Sequence, residues 1–359
     1  MNSWVSKWAK SNYPTAKSDL CTCFFERGQV LAEALGYISM ITASSWMFIS
    51  SFEKFRKSLL SRGSICSMIQ QSTHGYAGVT VPTTMFVYAC NRLGIIGSYI
   101  RLEDFDRPQW QEPRALEALA NPDCGWFYRA DAEAFAVAPS LPIAYWVNKR
   151  IWKAYEKELT FADIGHPKVG MQTSNNDKYL RLWWEISHGE CSSNEMPPIW
   201  IKYLKGGDYR KWYGNLDYLL HYKKDPSYIL KQPHAKVLDL AYLQKPKCTW
   251  TDLTSGEPSF RYAPEDTFYD ISGHCFFPNR KDQLFLLAYA NSSIVAMLKK
   301  VFNSSFHFQC GDLAKIIVPS FSSKGRKHIE TISREQIEAS KTDWDSFETS
   351  WDFKRHPLV

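Results

Sequence analysis

The chain has 359 residues, 45% of them hydrophobic and 15% aromatic, which is a globular composition and excludes a disordered or fibrous protein. At roughly 100–200 residues per domain there is room for two or three domains, and a net charge of +6 permits a polyanionic partner without demanding one. The nine cysteines form neither CxxC pairs nor a Cys/His array, and no apolar run approaches the roughly 20 residues of a membrane helix, so reduced thiols, no metal centre, no membrane contact and a cytoplasmic location are expected.

From Ser18 the apolar residues Leu20, Phe24, Leu31 and Leu35 recur at helical spacing, with Ser18 and Asp19 as caps and Gly36 as the stop. This predicts an amphipathic helix. The β-rich run Tyr37 to Thr42 follows directly and reads as a buried parallel strand. Ser50 and Glu53 have capping-box spacing ahead of Phe52, Phe55 and Leu59, which predicts a second helix. Strands are expected over Ser64 to Ile69, Thr83 to Ala89 and Gly97 to Leu102, with a loop at Gly75 to Gly78. Helices alternating with short apolar strands give a doubly wound α/β sheet, whose ligands bind beyond the carboxyl ends of the strands. The loops after Ile41 and around Tyr76 are therefore candidate sites.

Beyond Leu102 the prolines at 108, 113, 122, 139 and 142 break the periodicity, and one helix is expected from Tyr145 to Leu159. From Gly170 the chain becomes aromatic and basic, as in KYLRLWWE (Lys178 to Glu185), WIKYLKGGDYRKWYGN (Trp200 to Asn215) and SGEPSFRY (Ser255 to Tyr262). A helix is expected over Asn291 to Lys300, and a turn and strand over Cys310 to Pro319. The expected division is a partial core over 1–105, a helical connector over 106–169, a mixed α/β domain over 170–321 and a polar, aromatic tail over 322–359.

SDLCTCFFERG, GYISMITASSWMFISSFEKFRKSLL and VPTTMFVY, in this order, resemble the later core motifs of the γ-class adenine-specific DNA methyltransferases, and most closely the PglX family of BREX phage-defence systems. MQTSNNDKYLRLWWE, KGGDYRKWYGN, SGEPSFRY and DWDSFETSWDFKRHPL in the second half resemble the same family. The resemblance implies S-adenosylmethionine as the family cofactor, double-stranded DNA as partner and a flipped adenine as target, because the exocyclic amine is inaccessible inside a duplex. It implies that Phe24 packs near the cofactor's adenine ring. It implies that Tyr76 stacks on the flipped base, an interaction of roughly 1–3 kcal/mol. Each has a structural alternative: Phe24 lies on an apolar helix face and suits a core role, and Tyr76 could be loop surface. His74 reads as loop surface rather than as a base.

Two parts of the family's machinery are missing. No two glycines stand one residue apart, so the GxG turn that approaches the cofactor is absent, and no N-P-P-Y loop occurs. Met196-Pro197-Pro198-Ile199 reads as an ordinary turn. In the family both motifs precede the helix that begins near Ser18, so the chain is expected to start just after the catalytic loop. The sheet would then lack its first four strands, and the strand at Tyr37 would carry an unpaired edge. The chain is expected to be inactive and without cofactor by itself, either as one half of a split enzyme whose amino-terminal half is separately encoded, with other BREX proteins as partners, or as the remnant of an interrupted gene.

The second half resembles the family's target-recognition region. Between Ile201 and Lys224, Lys202, Lys205, Arg210, Lys211, Lys223 and Lys224 stand against Asp208 and Asp217. They interleave with Trp200, Tyr203, Tyr209, Trp212 and Tyr213, a pattern suited to phosphate contact and base stacking. Lys202, Lys205, Arg210, Lys211 and Trp212 are the candidate DNA contacts, with Arg261 to read a guanine edge or clamp a phosphate. In the alternative the aromatics are core and the lysines simply solvated. Two functions lead, a piece of an adenine-specific DNA methyltransferase or a non-catalytic DNA-binding or scaffold module of a defence system; a third, a small-molecule methyltransferase, would show no salt-dependent DNA affinity.

Overall fold

The computed structural model describes residues 1–76, 78–191, 199–222, 226–254, 256–303 and 306–358. Pro197, Pro198, Lys223, Lys224 and Ser255 lie outside the described residues. The chain divides into two compact units, 1–157 and 158–359.

The first unit opens with α1 (Ser3–Asn12), capped by Asn2, and α2 (Leu20–Leu31), whose first turn is capped by the Asp19 carboxylate accepting from the Cys21 N–H. The helix ends earlier than the apolar spacing indicated. Ala32 turns extended and Gly36 instead closes a turn by donating to the Glu33 carbonyl. There follow β1 (Tyr37–Ala43), α3 (Glu53–Arg62), β2 (Gly63–Gln71), β3 (Thr83–Cys90), β4 (Gly97–Leu102), α4 (Pro108–Ala120), β5 (Phe127–Ala130), α5 (Ala132–Ala136) and α6 (Lys149–Ala154).

The five strands form one sheet in the order β1-β3-β2-β4-β5. β3 returns between β1 and β2 and is antiparallel to both, from Tyr37 opposite Ala89 to Ala43 opposite Thr83 on one side. β2 and β4 are parallel, and β5 is antiparallel to β4. The expectation of a buried parallel strand at Tyr37 is corrected. β1 is an edge strand paired on one side only among the described residues, because β3 occupies the position beside it. Ile38 and Thr42 point into the core while Tyr37, Ser39 and Ile41 point outward.

One sheet face packs on α2 and α3 through an aromatic cluster. The Phe25 ring meets Phe55 at 5.5 Å and Tyr88 at 5.0 Å edge-on, and Trp46 meets Phe86 at 5.2 Å. Much of the aromatic excess in this unit is therefore core. The alternate residues Ile69, Ile100 and Leu102 face the other way and pack against Ala115 and Ala118 of α4. Pro108 begins that helix rather than breaking it, since at the first helical position its missing N–H costs nothing. The helix expected over Tyr145 to Leu159 is confined to α6, and β5 lies in the stretch read as connector.

In the second unit the elements are β6 (Leu159–Thr160), α7 (Phe161–Ile164), β7 (Gly165–Lys168), α8 (Asn176–Tyr179), β8 (Leu180–Leu182), α9 (His188–Cys191), β9 (Trp200–Leu204), β10 (Tyr218–His221) and α10 (Ser227–Leu230). They continue as β11 (Lys247–Trp250), β12 (Phe260–Ala263), β13 (Thr267–Tyr269), β14 (Cys275–Pro278), α11 (Gln283–Ala290), α12 (Ser293–Phe302), α13 (Cys310–Ala314), β15 (Ile317–Val318) and α14 (Ser323–Trp344). Two four-stranded sheets, β13-β9-β10-β8 and β12-β11-β14-β7, share the aromatic core around Tyr203, Phe268, Tyr269 and Phe277, and β15 pairs with β6. The tail after Ser322 begins as a 22-residue helix, α14, capped by the Ser322 hydroxyl. No single described helix is long and apolar enough to cross a membrane.

Candidate functional site

Strands β2 and β4 are parallel neighbours, so their carboxyl ends open together, and the chain places polar groups there. The Gln70 amide donates to Glu103 at 2.7 Å and accepts from the Tyr145 hydroxyl at 2.9 Å. Arg101 pairs with Glu103 at 2.5 Å and Asp104 at 2.7 Å while its guanidinium covers the Trp146 ring at 4.9 Å. Burial works against the Arg101 charge, but the two carboxylates outweigh it and raise the pKa.

The loop between β2 and β3 leaves from this polar end and is docked on it. The His74 imidazole Nδ1 lies 3.0 Å from both oxygens of Asp106, and that hydrogen bond holds the Asp106 carboxyl below its usual pKa. The Gln111 amide donates to the Ser72 hydroxyl at 3.5 Å and to the Phe105 carbonyl. Gly75 passes so close that a Cβ there would come within 2.9 Å of the Gln71 side chain, which explains the glycine. Tyr76 follows, 41% exposed. Beside the loop a groove is lined by Asp104, Phe105, Asp106, Arg107, Trp110 and Arg114, with Arg114 stacked on Phe105 and Trp126. Tyr76 thus sits in a loop held at its base, with its ring open to a ligand. His74 is loop surface and also a strut. The anchoring partners Asp106 and Gln111 were not singled out from the sequence; their signal is the acidic run Glu103-Asp104-Phe105-Asp106 at the end of an expected strand.

Phe24 lies on α2 with 67% of its surface exposed, whereas its neighbour Phe25 is 2% exposed. The core position is therefore Phe25, and Phe24 offers a free ring face. Among the described residues no group of three His, Cys, Asp or Glu side chains is arranged to hold a metal.

In the second unit the basic residues are more engaged than their sequence suggests. Lys202 pairs with Asp266 at 3.0 Å, Arg210 with Asp343 at 2.8 Å and with the face of Trp344 at 5.0 Å, and Lys211 with the Asn291 carbonyl at 3.2 Å. Lys205 lies over the Tyr218 ring at 5.2 Å and lines an open groove with Arg181, Leu182 and Glu185. Trp212 holds φ +74° while its N–H donates to the Phe260 carbonyl and its own carbonyl accepts from the Tyr262 N–H.

Arg261 is 1% exposed, and the expectation that it reads a base or clamps a phosphate is corrected. β12 points it inward, where its guanidinium donates to the Arg210 carbonyl at 3.2 Å, the Gly206 carbonyl at 3.4 Å and the Thr251 hydroxyl at 3.2 Å. Burial lowers its pKa to about 10. It staples the glycine loop from beneath.

Residues 1–75 match the family model of the Eco57I restriction-modification methylases. The adenine-specific methyltransferase PglX of Lacticaseibacillus casei (strain Zhang) is 31% identical over 374 residues, covering 99% of this chain and 31% of that protein. The adenine-specific methyltransferase BrxX of Escherichia coli O9:H4 (strain HS) is 28% identical, covering 100% of the chain and 29% of that protein. In fold, the chain is similar to the type IIL restriction-modification enzyme MmeI solved in complex with DNA, with a TM-score of 0.62 over 98% of this chain and 49% of that one at 10% identity. In fold the chain is similar to a restriction-modification enzyme, and in sequence to adenine-specific methyltransferases. More particularly, the chain is a relative of the PglX-type adenine-specific methyltransferases, as its motifs indicate, and it spans about a third of the length of the curated relatives it matches.

Proposed function

We propose that this chain is the later half of the catalytic core, joined to a target-recognition region, of a site-specific adenine DNA methyltransferase of BREX type, inactive until an amino-terminal part supplies the glycine turn and the N-P-P-Y loop. The observation that carries the reading is the whole-chain likeness to PglX, which takes in only about a third of that protein. The fold supports it. Among the described residues β1 has a free edge, where a preceding strand would pair, and the side chains of Tyr37 and Ile41 stand exposed on its outward face. Phe24 and Tyr76 would contribute the rim of the site, one ring against the cofactor adenine and one against the extruded base. Lys202, Lys205, Arg210, Lys211 and Trp212 would lie along the DNA, on surfaces partly neutralised by their own acidic partners.

The test is reconstitution. The chain is mixed with a polypeptide covering the part of a PglX relative that precedes this match, and adenine methylation of duplex DNA is followed with labelled S-adenosylmethionine. Methylation by the mixture and by neither component alone is the expected result. Tight cofactor binding to this chain alone, seen by calorimetry, would refute the incomplete site. The second reading, a non-catalytic DNA-binding module, is favoured by the missing glycine turn and predicts salt-dependent DNA binding with no methylation in any mixture.

A further inference from the structure

The second unit carries a set of three loop tips tied side by side by hydrogen bonds. The first, 205–215, holds positive φ at Gly206, Gly207, Trp212, Gly214 and Asn215. Such a path is closed to most side chains and needs support from below. Asn215 donates its amide to the Gly206 carbonyl at 2.8 Å and to the Asp208 carbonyl at 2.9 Å, and Arg261 holds the Gly206 and Arg210 carbonyls. The Thr251 hydroxyl donates to the Gly207 carbonyl at 3.2 Å and so joins this loop to the second tip, 251–254. That tip is bonded to the third, around Phe306 to Phe308. The Thr254 N–H donates to the Phe306 carbonyl at 3.0 Å and the Phe308 N–H to the Asp252 carbonyl at 2.7 Å.

What these fixed tips present is unusual for a surface that must meet a polyanion. Tyr209 is 56% exposed, Leu253 59% and Phe306 60%, and Asp208 is exposed beside them. The nearby basic residues are engaged elsewhere, Lys205 in its groove and Arg210 and Lys211 in ion pairs with Asp343 and Glu257. An acidic and apolar tip repels phosphate, so it does not serve the backbone contacts that give DNA binding its affinity. Its chemistry suits base edges in the major groove, where a carboxylate accepts from the cytosine amine and apolar side chains contact the thymine methyl. Rigid backbone support adds discrimination, because little ordering is left to be done on binding.

We propose that Asp208, Tyr209, Leu253 and Phe306 form the base-reading surface of this chain and that they set the sequence it selects. The inference rests on DNA being the partner. Arg261, Asn215 and Thr251 act as positioning residues beneath it.

The experiment selects duplexes from a randomised double-stranded DNA pool with the full chain, and sequences what is retained. The wild type, a Tyr209→Ala, Leu253→Ala, Phe306→Ala triple variant and Asp208→Ala are compared, all checked for unchanged thermal melting. The wild type is expected to enrich one motif. The triple variant should keep total DNA retention within about threefold, with an unchanged salt slope, yet lose about tenfold or more of its enrichment at one or more motif positions. Asp208→Ala should relax a position occupied by cytosine. An unchanged motif in the triple variant overturns the proposal, as does a wild type that binds the pool without preference. A wild type that shows no salt-sensitive retention at all overturns DNA as the partner, which is a separate and distinguishable failure.

Discussion

The Nδ1 atom of His74 stands 3.0 Å from each carboxylate oxygen of Asp106, linking the loop after β2 to the loop after β4. Both side chains are more than half exposed, so the pair contributes little to global stability, under about 1 kcal/mol. Its effect is local order in the segment that carries Tyr76. Asp106→Asn is expected to leave the melting temperature nearly unchanged while amide hydrogen exchange in residues 72–76 accelerates severalfold. Because the folded-state pKa of Asp106 is lowered, its contribution is present at neutral pH and fades as pH falls below about 4. Exchange of the wild-type loop should then approach that of the variant. Equal protection in the two proteins at pH 7 would show that the His74–Asp106 contact does not hold the loop.

Adjacent phenylalanines separate core from surface. Phe25 sits among Phe55, Phe86 and Tyr88, and Phe25→Ala is expected to cost about 3–5 kcal/mol in urea unfolding. Phe24→Ala should change stability by less than about 0.5 kcal/mol. A comparable loss from Phe24 would mean that its ring is packed, which removes it as a cofactor contact.

These two residues also show what the sequence could and could not tell. Helical spacing identified α2 and an apolar stripe, yet Phe24 and Phe25 are chemically identical, and only the docking of α2 on β1 and β3 decides which is buried. The expected strand Gly97 to Leu102 agrees with β4 to the residue, and β2 and β3 agree within two residues at each end, because short β-rich runs between turns carry a local signal. Sheet order is non-local. Nothing near Tyr37 reveals that a strand some 46 residues later will return antiparallel beside it. In the second unit a basic, aromatic stretch gave a composition. The ion pairs of Lys202 and Arg210 with Asp266 and Asp343 come from distant chain, as does the inward turn of Arg261.

Arg261 gives a prediction that separates a staple from a DNA contact. Arg261→Met removes donors to two backbone carbonyls and a hydroxyl inside the fold, and about 2–4 kcal/mol of stability should be lost. Since the guanidinium is buried, urea unfolding should register the change before any DNA assay does. A variant with wild-type stability and weakened DNA retention would restore the surface role.

The free edge of β1 is a hazard as well as a docking feature. Ile41 is 59% exposed on a strand with one side unpaired among the described residues, a combination that invites edge-to-edge pairing between copies. Ile41→Lys should reduce concentration-dependent association in sedimentation or light scattering without lowering the melting temperature. If that face receives the amino-terminal part, the same change should impair reconstitution. Identical association of the two proteins would exclude β1 as the sticky surface.

Lys247 supplies a pH test of a buried charge. Its ammonium is fully enclosed and donates to the carbonyls of Leu243 and Glu265 at 2.8 Å, with longer contacts to Tyr242 and Lys245. Burial lowers its pKa from 10.5 to about 8. The unfolded chain therefore binds the proton more tightly than the folded one, and stability must rise with pH between about 8 and 10.5 from this group. A shift of that size corresponds to about 3 kcal/mol. Buried thiols such as Cys275, whose pKa burial raises to about 12, act in the opposite direction above pH 9, so the wild-type curve alone is not diagnostic. The difference from Lys247→Met cancels them. That difference should move toward the wild type by up to about 3 kcal/mol between pH 7 and pH 10 in urea unfolding. A difference independent of pH would mean that the amine keeps its ordinary affinity for the proton inside the fold, and that the ring of carbonyls offsets the cost of burying it.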